Sequence, residues 1–371
     1  MGKQASTPHL GVLVSRKQIR LFMRQAPSWR LKALVRANRN AGINLFFFCI
    51  DGVNVRKKKI LGVYYDVQDK KYKKRLFSYP DVLYKRGRDV TNKRSVNRKY
   101  RTFQAHLKAL NVQYINYQQG FDKWKVYQTL SSNTSLQPYL PETKVLTSAS
   151  ELAHMLAAHK TVYVKAAKGR KGQQVIRVET EADGSFTYTH YLKGLKTKHV
   201  HTIDELFDAL KTFFKGRFAI VQEGIKLLKI DDKIIDIRAE LQRNGQGDLG
   251  ITAVSVRESQ KNSPITTHAD SYPIDDFCAK VLNYSPARTN ELKKRINALV
   301  RAVYAHIENE NGQVGELGID LALDEEGRLW FIEVNSQTAK VSLCKAYGEE
   351  VKHKAFYNPL AYAAYIYHKK D

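Results

Sequence analysis

The chain has 371 residues, enough for two or three domains, and 43% hydrophobic residues can fill real cores. Lys+Arg number 62 against 36 Asp+Glu, a net charge of +26, and residues 1–120 hold 27 of the basic residues against five Asp and no Glu. Three scattered cysteines (Cys49, Cys278, Cys344) without C-x-x-C spacing argue against a disulfide framework and a zinc site, and no apolar run approaches the ~20 residues of a membrane span.

The N-terminus has only a five-residue apolar run, so no signal peptide is read and a cytoplasmic location is expected. LGVLV (10–14) opens as a strand, and residues 28–40 predict a basic helix stopped by Gly42. INLFFFCI is apolar without alternation, as in a strand buried on both faces. VNVRKKKILGVYYDV reads as a hairpin, PDVLYKR as a short strand, residues 96–110 as a helix and VQYIN as a strand. This order predicts an α/β domain with a largely parallel sheet. The basic clusters RKKK (56–59) and KKYKKR (70–75) lie on or near turns, interleaved with Tyr64, Tyr65, Tyr72, Tyr79 and Tyr84. They read either as a solvated basic face or as a polyanion surface for nucleic acid, an anionic cell-envelope polymer or an acidic substrate. No nucleic-acid fold motif accompanies them.

FDKWKVYQTLSS (121–132) predicts a helix with Asp122 at its start, and Pro138 and Pro141 keep the next segment extended. Ser148 caps the helix SASELAHMLAAH, with Glu151 completing a capping box. In residues 161–178 a strand leads to Lys165, a loop follows with Gly169 and Gly172, and a second strand returns. Strand–glycine loop–strand matches neither a P-loop nor a dinucleotide fingerprint. It reads as a basic surface hairpin, or as a cover that offers backbone N–H groups and a strand lysine to a triphosphate. TIDELFDALKTFF is an amphipathic helix, and RFAIVQEGI is a strand ending in Gln222, Glu223 and Gly224. DKIIDIRAELQRN is a long strand with Asp236, Arg238 and Glu240 on one face. GDLGITAVSVRE returns beside it through NGQG. Residues 288–309 form a long helix, and a final helix lies near 355–368.

Between these helices, residues 314–338 read as two strands and a turn. Glu333 and Asn335 are two apart and share a face. Asp320 stands thirteen residues before Glu333 and can meet it across the turn. Oxygen ligands converging on one face suit Mg²⁺ when phosphates complete its shell, whereas acids on an exposed hairpin face are merely solvated. Glu333 is flanked by LWFI and V, where a carboxylate is costly to bury unless paired or metal-bound.

In this order, PDVLYKR, FDKWKVYQTL, YLPETKVL, VYVKAAKGRKGQQVIRV, AIVQEGI, DIRAELQRNGQGDLGIT, GELGIDLALDEEGRLWFIEVNS and NPLAYAAYI resemble the YheC/YheD group of endospore coat-associated, ATP-grasp proteins. The resemblance covers essentially the whole chain. It implies a basic N-terminal Rossmann-like α/β domain with a parallel sheet (1–120), then a two-subdomain ATP-grasp fold. The first subdomain holds the lysines and glycine loop (121–215), and the second holds the adenine hinge and metal hairpin (216–371). It further implies ATP phosphates on Lys123 and Lys165 under the loop of Gly169 and Gly172, and adenine at Gln222, Glu223 and Ile225. Arg238, in the D-x-R that begins at Asp236, would face the reacting group. Asp320, Glu333 and Asn335 would hold one or two Mg²⁺ ions. Departures from the family pattern K-P-x-x-G-S-x-G-x-G are Ala166 for Pro, Arg170 for Ser and Gln174 for the last Gly. After E-x-N the family continues S-x-P-G-R, but here the chain reads SQTAK.

The function this implies is an ATP-dependent ligase of the spore coat. It would join a small-molecule or peptide carboxylate to an amine or thiol through an acyl phosphate. The altered loop and the basic N-terminal third support a second expectation, a non-catalytic coat scaffold that binds an anionic polymer. A nucleic-acid enzyme would rest on charge alone.

Overall fold

Three β-sheets with their covering helices make up the computed structural model, which describes residues 7–87, 94–118, 120–169, 174–191, 194–259 and 270–369. The first sheet contains β1 (His9–Leu13), β2 (Asn44–Phe48), β3 (Val53–Asn54), β4 (Lys59–Asp66), β5 (Lys71–Ser78), β6 (Val82–Lys85) and β7 (Gln113–Tyr114). Strands β2, β1, β6 and β7 run parallel. Helices α1 (Arg16–Met23), α2 (Trp29–Ala41) and α3 (Arg94–Ala109) lie in their connections. Strands β3, β4 and β5 are added antiparallel, so the sheet is mixed where a largely parallel one was expected. The reason is loop length: the short turn between β4 and β5 permits only antiparallel pairing, whereas a parallel pair needs a crossover of roughly a dozen residues.

As the apolar run implied, Phe46, Phe47 and Phe48 on β2 are fully buried, and Phe46 stacks on Phe77 at 4.1 Å. Gly42 ends α2 with φ 63°, the left-handed cap for which glycine is suited. Helix α1, capped by Ser15, was not anticipated from the sequence. The two basic clusters part company. Residues 56–58 occupy the turn before β4, but the second cluster runs along β5, whose one strand partner among the described residues is β4. Exposed lysines such as Lys71 and Lys74 on such an edge discourage pairing with other chains.

The second sheet is antiparallel throughout, in the order β12–β11–β10–β9–β13–β8. Its strands are β8 (Thr143–Val145), β9 (Thr161–Ala166), β10 (Val175–Thr180), β11 (Phe186–Tyr191), β12 (Leu195–Val200) and β13 (Ala219–Glu223). Helix α4 (Lys123–Ser131) leads into it, and α5 (Ala149–Ala158) and α6 (Ile203–Phe214) cover it. Their Leu152, Met155, Leu206, Leu210 and Phe214 pack on Val162, Val164, Ile176 and Val178. Ser148 caps α5 by accepting from Glu151 N, and a reciprocal capping box joins Thr202 and Glu205 on α6.

The third sheet holds β14 (Lys229–Ile230), β15 (Lys233–Arg243), β16 (Leu249–Glu258), β17 (Asp270–Pro273), β18 (Glu316–Leu323) and β19 (Leu329–Asn335), with central order β17–β16–β15–β18–β19. Helices α7 (Ile274–Lys280) and α8 (Pro286–Asn311) share its core. After α9 (Val341–Ala346), helix α10 (Glu349–His368) returns to the first sheet. Its Phe356, Leu360 and Ala363 pack with Leu31 and Leu34 of α2.

Candidate nucleotide and metal site

Strand register gathers the charged residues of the third sheet on one face. Arg238 lies opposite Asp320, Asp320 opposite Glu333, and Asp236 opposite Arg257. Arg238 grips Asp320 with two branches, Nε to Oδ1 and Nη2 to Oδ2 at 2.8 Å. Arg257 grips Asp236 in the same way, Nη2 to Oδ2 at 2.6 Å, and reaches Asp320 Oδ1 at 3.3 Å. Burial alone would push the Asp320 carboxyl up, but the two guanidinium groups outweigh it and hold it at about 2. Asp320 is therefore an ionised carboxylate at any working pH.

Glu333 is half-buried, and its Oε1 accepts from Asn335 Nδ2 at 3.1 Å. Lys123 Nζ stands 3.6 Å from Glu333 Oε2. Lys123 is the first residue of α4, whose start is fixed by Asp122 accepting from the Trp124 and Lys125 amides. The Lys123 amide also donates to Ala167 O at 2.9 Å, tying α4 to the end of β9. On β9, Lys165 Nζ donates to Gln222 Oε1 at 2.6 Å, and Gln222 Nε2 donates to Thr143 Oγ1 at 2.8 Å. Burial, helped by repulsion from Lys123, pushes the Lys165 ammonium down to about 8.

The end of β13 forms a backbone strip. Glu223 N donates to Glu142 O, and Gly224 N to Thr161 O, both at 2.9 Å. A Cβ on Gly224 would sit 2.6 Å from Thr161 O, a close approach that only glycine permits. The Ile225 carbonyl accepts from Leu227 N.

Among the predicted residues, the fold joins Asp320, Glu333, Asn335, Lys123, Lys165, Gln222 and Arg238 through these contacts, with the strip at 223–225 continuing from Gln222. Arg238 was expected to face a reacting group; its side chain is 12% exposed and bonded to Asp320. A Cβ at Gly169 would meet Gln174 Oε1 at an ordinary 3.4 Å. Gly172 and Arg170 lie outside the described residues. Arg257 was missed by the sequence reading. A signal existed: counting outward from the NGQG turn places it opposite Asp236, once the bulge at Glu240/Leu241 is allowed.

Among the described residues, no three His, Cys, Asp or Glu side chains form a metal cage. Two carboxylates and an amide on one strand face are a different donor set. Mg²⁺ is commonly held by one or two carboxylates plus substrate phosphates, so Asp320, Glu333 and Asn335 fit a magnesium ion that arrives with a nucleotide. Lys123 adds a positive charge beside Glu333 on this face.

The model of the YheC/D-like ATP-grasp family matches residues 111–366. Endospore coat-associated protein YheD of Bacillus subtilis (strain 168) is 27% identical over 310 residues, covering 83% of this chain and 67% of that protein. D-alanyl-alanine synthetase A from Vibrio cholerae superposes with a TM-score of 0.52 at 13% identity, covering 96% of this chain and 99% of that one. The ATP-grasp ligase PsnB, solved with a phosphomimetic precursor variant, Mg and ADP, gives 0.51 at 11% identity, covering 98% and 99%. At these identities the structural likeness shows the fold alone.

Proposed function

Because the chain belongs to the YheC/D-like ATP-grasp family, we propose that it binds ATP with Mg²⁺ and activates a carboxylate for ligation. The observation that supports this best is the facing row of Asp320, Glu333 and Asn335 with Lys123 beside it. In this reading Lys123 and Lys165 neutralise the phosphates, and the backbone of residues 223–225 receives the adenine edge. Asp320, Glu333 and Asn335 would hold Mg²⁺, which supplies charge neutralisation across the phosphates when bound. A substrate carboxylate oxygen attacks the γ-phosphorus and ADP leaves. An amine or thiol then displaces phosphate from the acyl phosphate, with Arg238 assigned to the developing oxyanion. The RiPP-associated ATP-grasp ligase of Chryseobacterium gregarium was solved with ADP and a leader and core peptide, which favours a peptide carboxylate among the substrates to try. Association with the spore coat is proposed from the YheD relative.

The test is calorimetry of ATP binding with and without Mg²⁺, on the wild type and on Asp320→Asn/Glu333→Gln. Magnesium-dependent binding that disappears in the variant supports the site; a wild type that binds no ATP refutes it. One observation favours a second reading. Asp320 is already saturated by Arg238 and Arg257, as a structural carboxylate would be. A non-catalytic scaffold would leave the basic first domain as the working surface. Its binding to a polyanion would then weaken steeply with salt.

A further inference from the structure

The five residues that follow Asn335 are each tied down. Asn116 Nδ2 donates to Ser336 O at 2.5 Å, and Gln337 Nε2 donates to Lys85 O at 2.9 Å. Arg86 Nη2 donates to Thr338 O at 2.7 Å, and Arg30 Nε to Ala339 O at 2.9 Å. Lys340 Nζ donates to Thr338 Oγ1 at 2.8 Å and to Glu316. Lys85 and Arg86 come from the end of β6, Arg30 from α2 and Asn116 from just after β7, so four of these ties come from the first domain.

Glu316 is the centre of the arrangement. It is fully buried and accepts from four donors: Tyr84 Oη at 2.6 Å, Arg86 Nη1 at 3.0 Å, Gln242 Nε2 at 3.2 Å and Lys340 Nζ. Burial would push its carboxyl up, but Lys340 and Arg86 hold it below the usual range. A lone buried carboxylate would be very costly; this one is kept by its partners. Lys340 itself has φ 54°, a left-handed conformation that a residue with a Cβ disfavours, and it is 2% exposed. Such a conformation persists only where its surroundings over-determine it. Contacts with the first domain hold this turn.

We propose that Glu316, with Arg86 and Lys340, is a positioning residue: it fixes segment 336–340 from the first domain and thereby the Glu333–Asn335 end of β19. The inference rests on the metal-site reading above, since it makes the geometry of Glu333 and Asn335 depend on how the first domain sits. Lys123, Lys165 and the strip at 223–225 have no bond to the segment among those described. Apart from the Lys123–Glu333 pair, nucleotide contacts and metal-side contacts should therefore separate.

The experiment compares the wild type with Arg86→Lys and Glu316→Gln in the full chain. Arg86→Lys keeps a positive charge on Glu316 but loses the planar fork that also reaches Thr338 O. Hydrogen exchange of the amides in 336–341 reads the clamp. Calorimetry of ADP, with and without Mg²⁺, reads the site. The expected result is faster exchange in both variants, metal-free ADP affinity unchanged, and a gain in affinity from Mg²⁺ that is weaker by about tenfold. A folded Arg86→Lys with unchanged exchange overturns the clamp. Faster exchange with an unchanged Mg²⁺ gain overturns its positioning role. If Glu316→Gln does not fold, Arg86→Lys decides alone. A wild type that binds no ADP fails the metal-site reading, and the positioning role with it, before any variant is compared; the exchange data still report on the clamp.

Discussion

Lys165 offers a prediction that depends on its surroundings more than on its identity. Burial and Lys123 push its ammonium down to about 8. A bound phosphate is an anion, so it favours the charged form and raises that value again. The sign follows: near and above pH 8, nucleotide binding must take up a proton. At pH 8 the free site is about half protonated, so ~0.5 proton is taken up per nucleotide. Above pH 8, affinity should fall by about tenfold per pH unit. A full return to the ordinary lysine value spans about 2.5 units, a ceiling of ~3.4 kcal/mol on the linkage. Well below pH 8 the ammonium is already formed and uptake vanishes. Calorimetry in buffers of different ionisation enthalpy measures the uptake directly. Binding at pH 8–9 with no proton uptake would refute the reasoning, as would uptake that persists in Lys165→Met.

Other outcomes follow from single contacts. Arg257→Met removes the two-branched bond to Asp236 and the 3.3 Å contact with Asp320, and should cost about 1–3 kcal/mol in a urea titration. Thr202→Ala removes the capping box of α6 and should cost about 1 kcal/mol, read as a lower melting temperature. Gly224→Ala places a methyl against Thr161 O. The strip after β13 must shift, and ADP affinity should fall while α6 and its core stay intact.

Much of the local structure was legible because its causes are local. The alternating strand at Asp236, Arg238 and Glu240 needs only a period of two to share a face, and Glu333 and Asn335 share one for the same reason. Asp320 meets Glu333 because a short turn folds one strand back on the next, which spacing alone anticipates. Gly42, Ser148 and Asp122 announce helix ends through their own side-chain or backbone chemistry. The basic cluster at 70–75 does start at a turn, as read, but only the sheet order shows that residues 71–75 lie on an edge strand.

What the tertiary structure decided has no sequence period to betray it. That Arg257 reaches Asp320, and that Arg238 bonds the same carboxylate, depends on which strand lies beside which. Arg86 meets Thr338 across 252 residues, and Arg30 meets Ala339 across 309. No local propensity encodes such meetings; they arise when packing brings the first sheet against the third and α10 closes over α2. The residue types on β18 and β19 put two carboxylates and an amide on one face of the sheet. Contacts from the far end of the chain fix the turn that leaves that strand, because a buried carboxylate and a strained lysine are tolerable only where several separate elements converge on them.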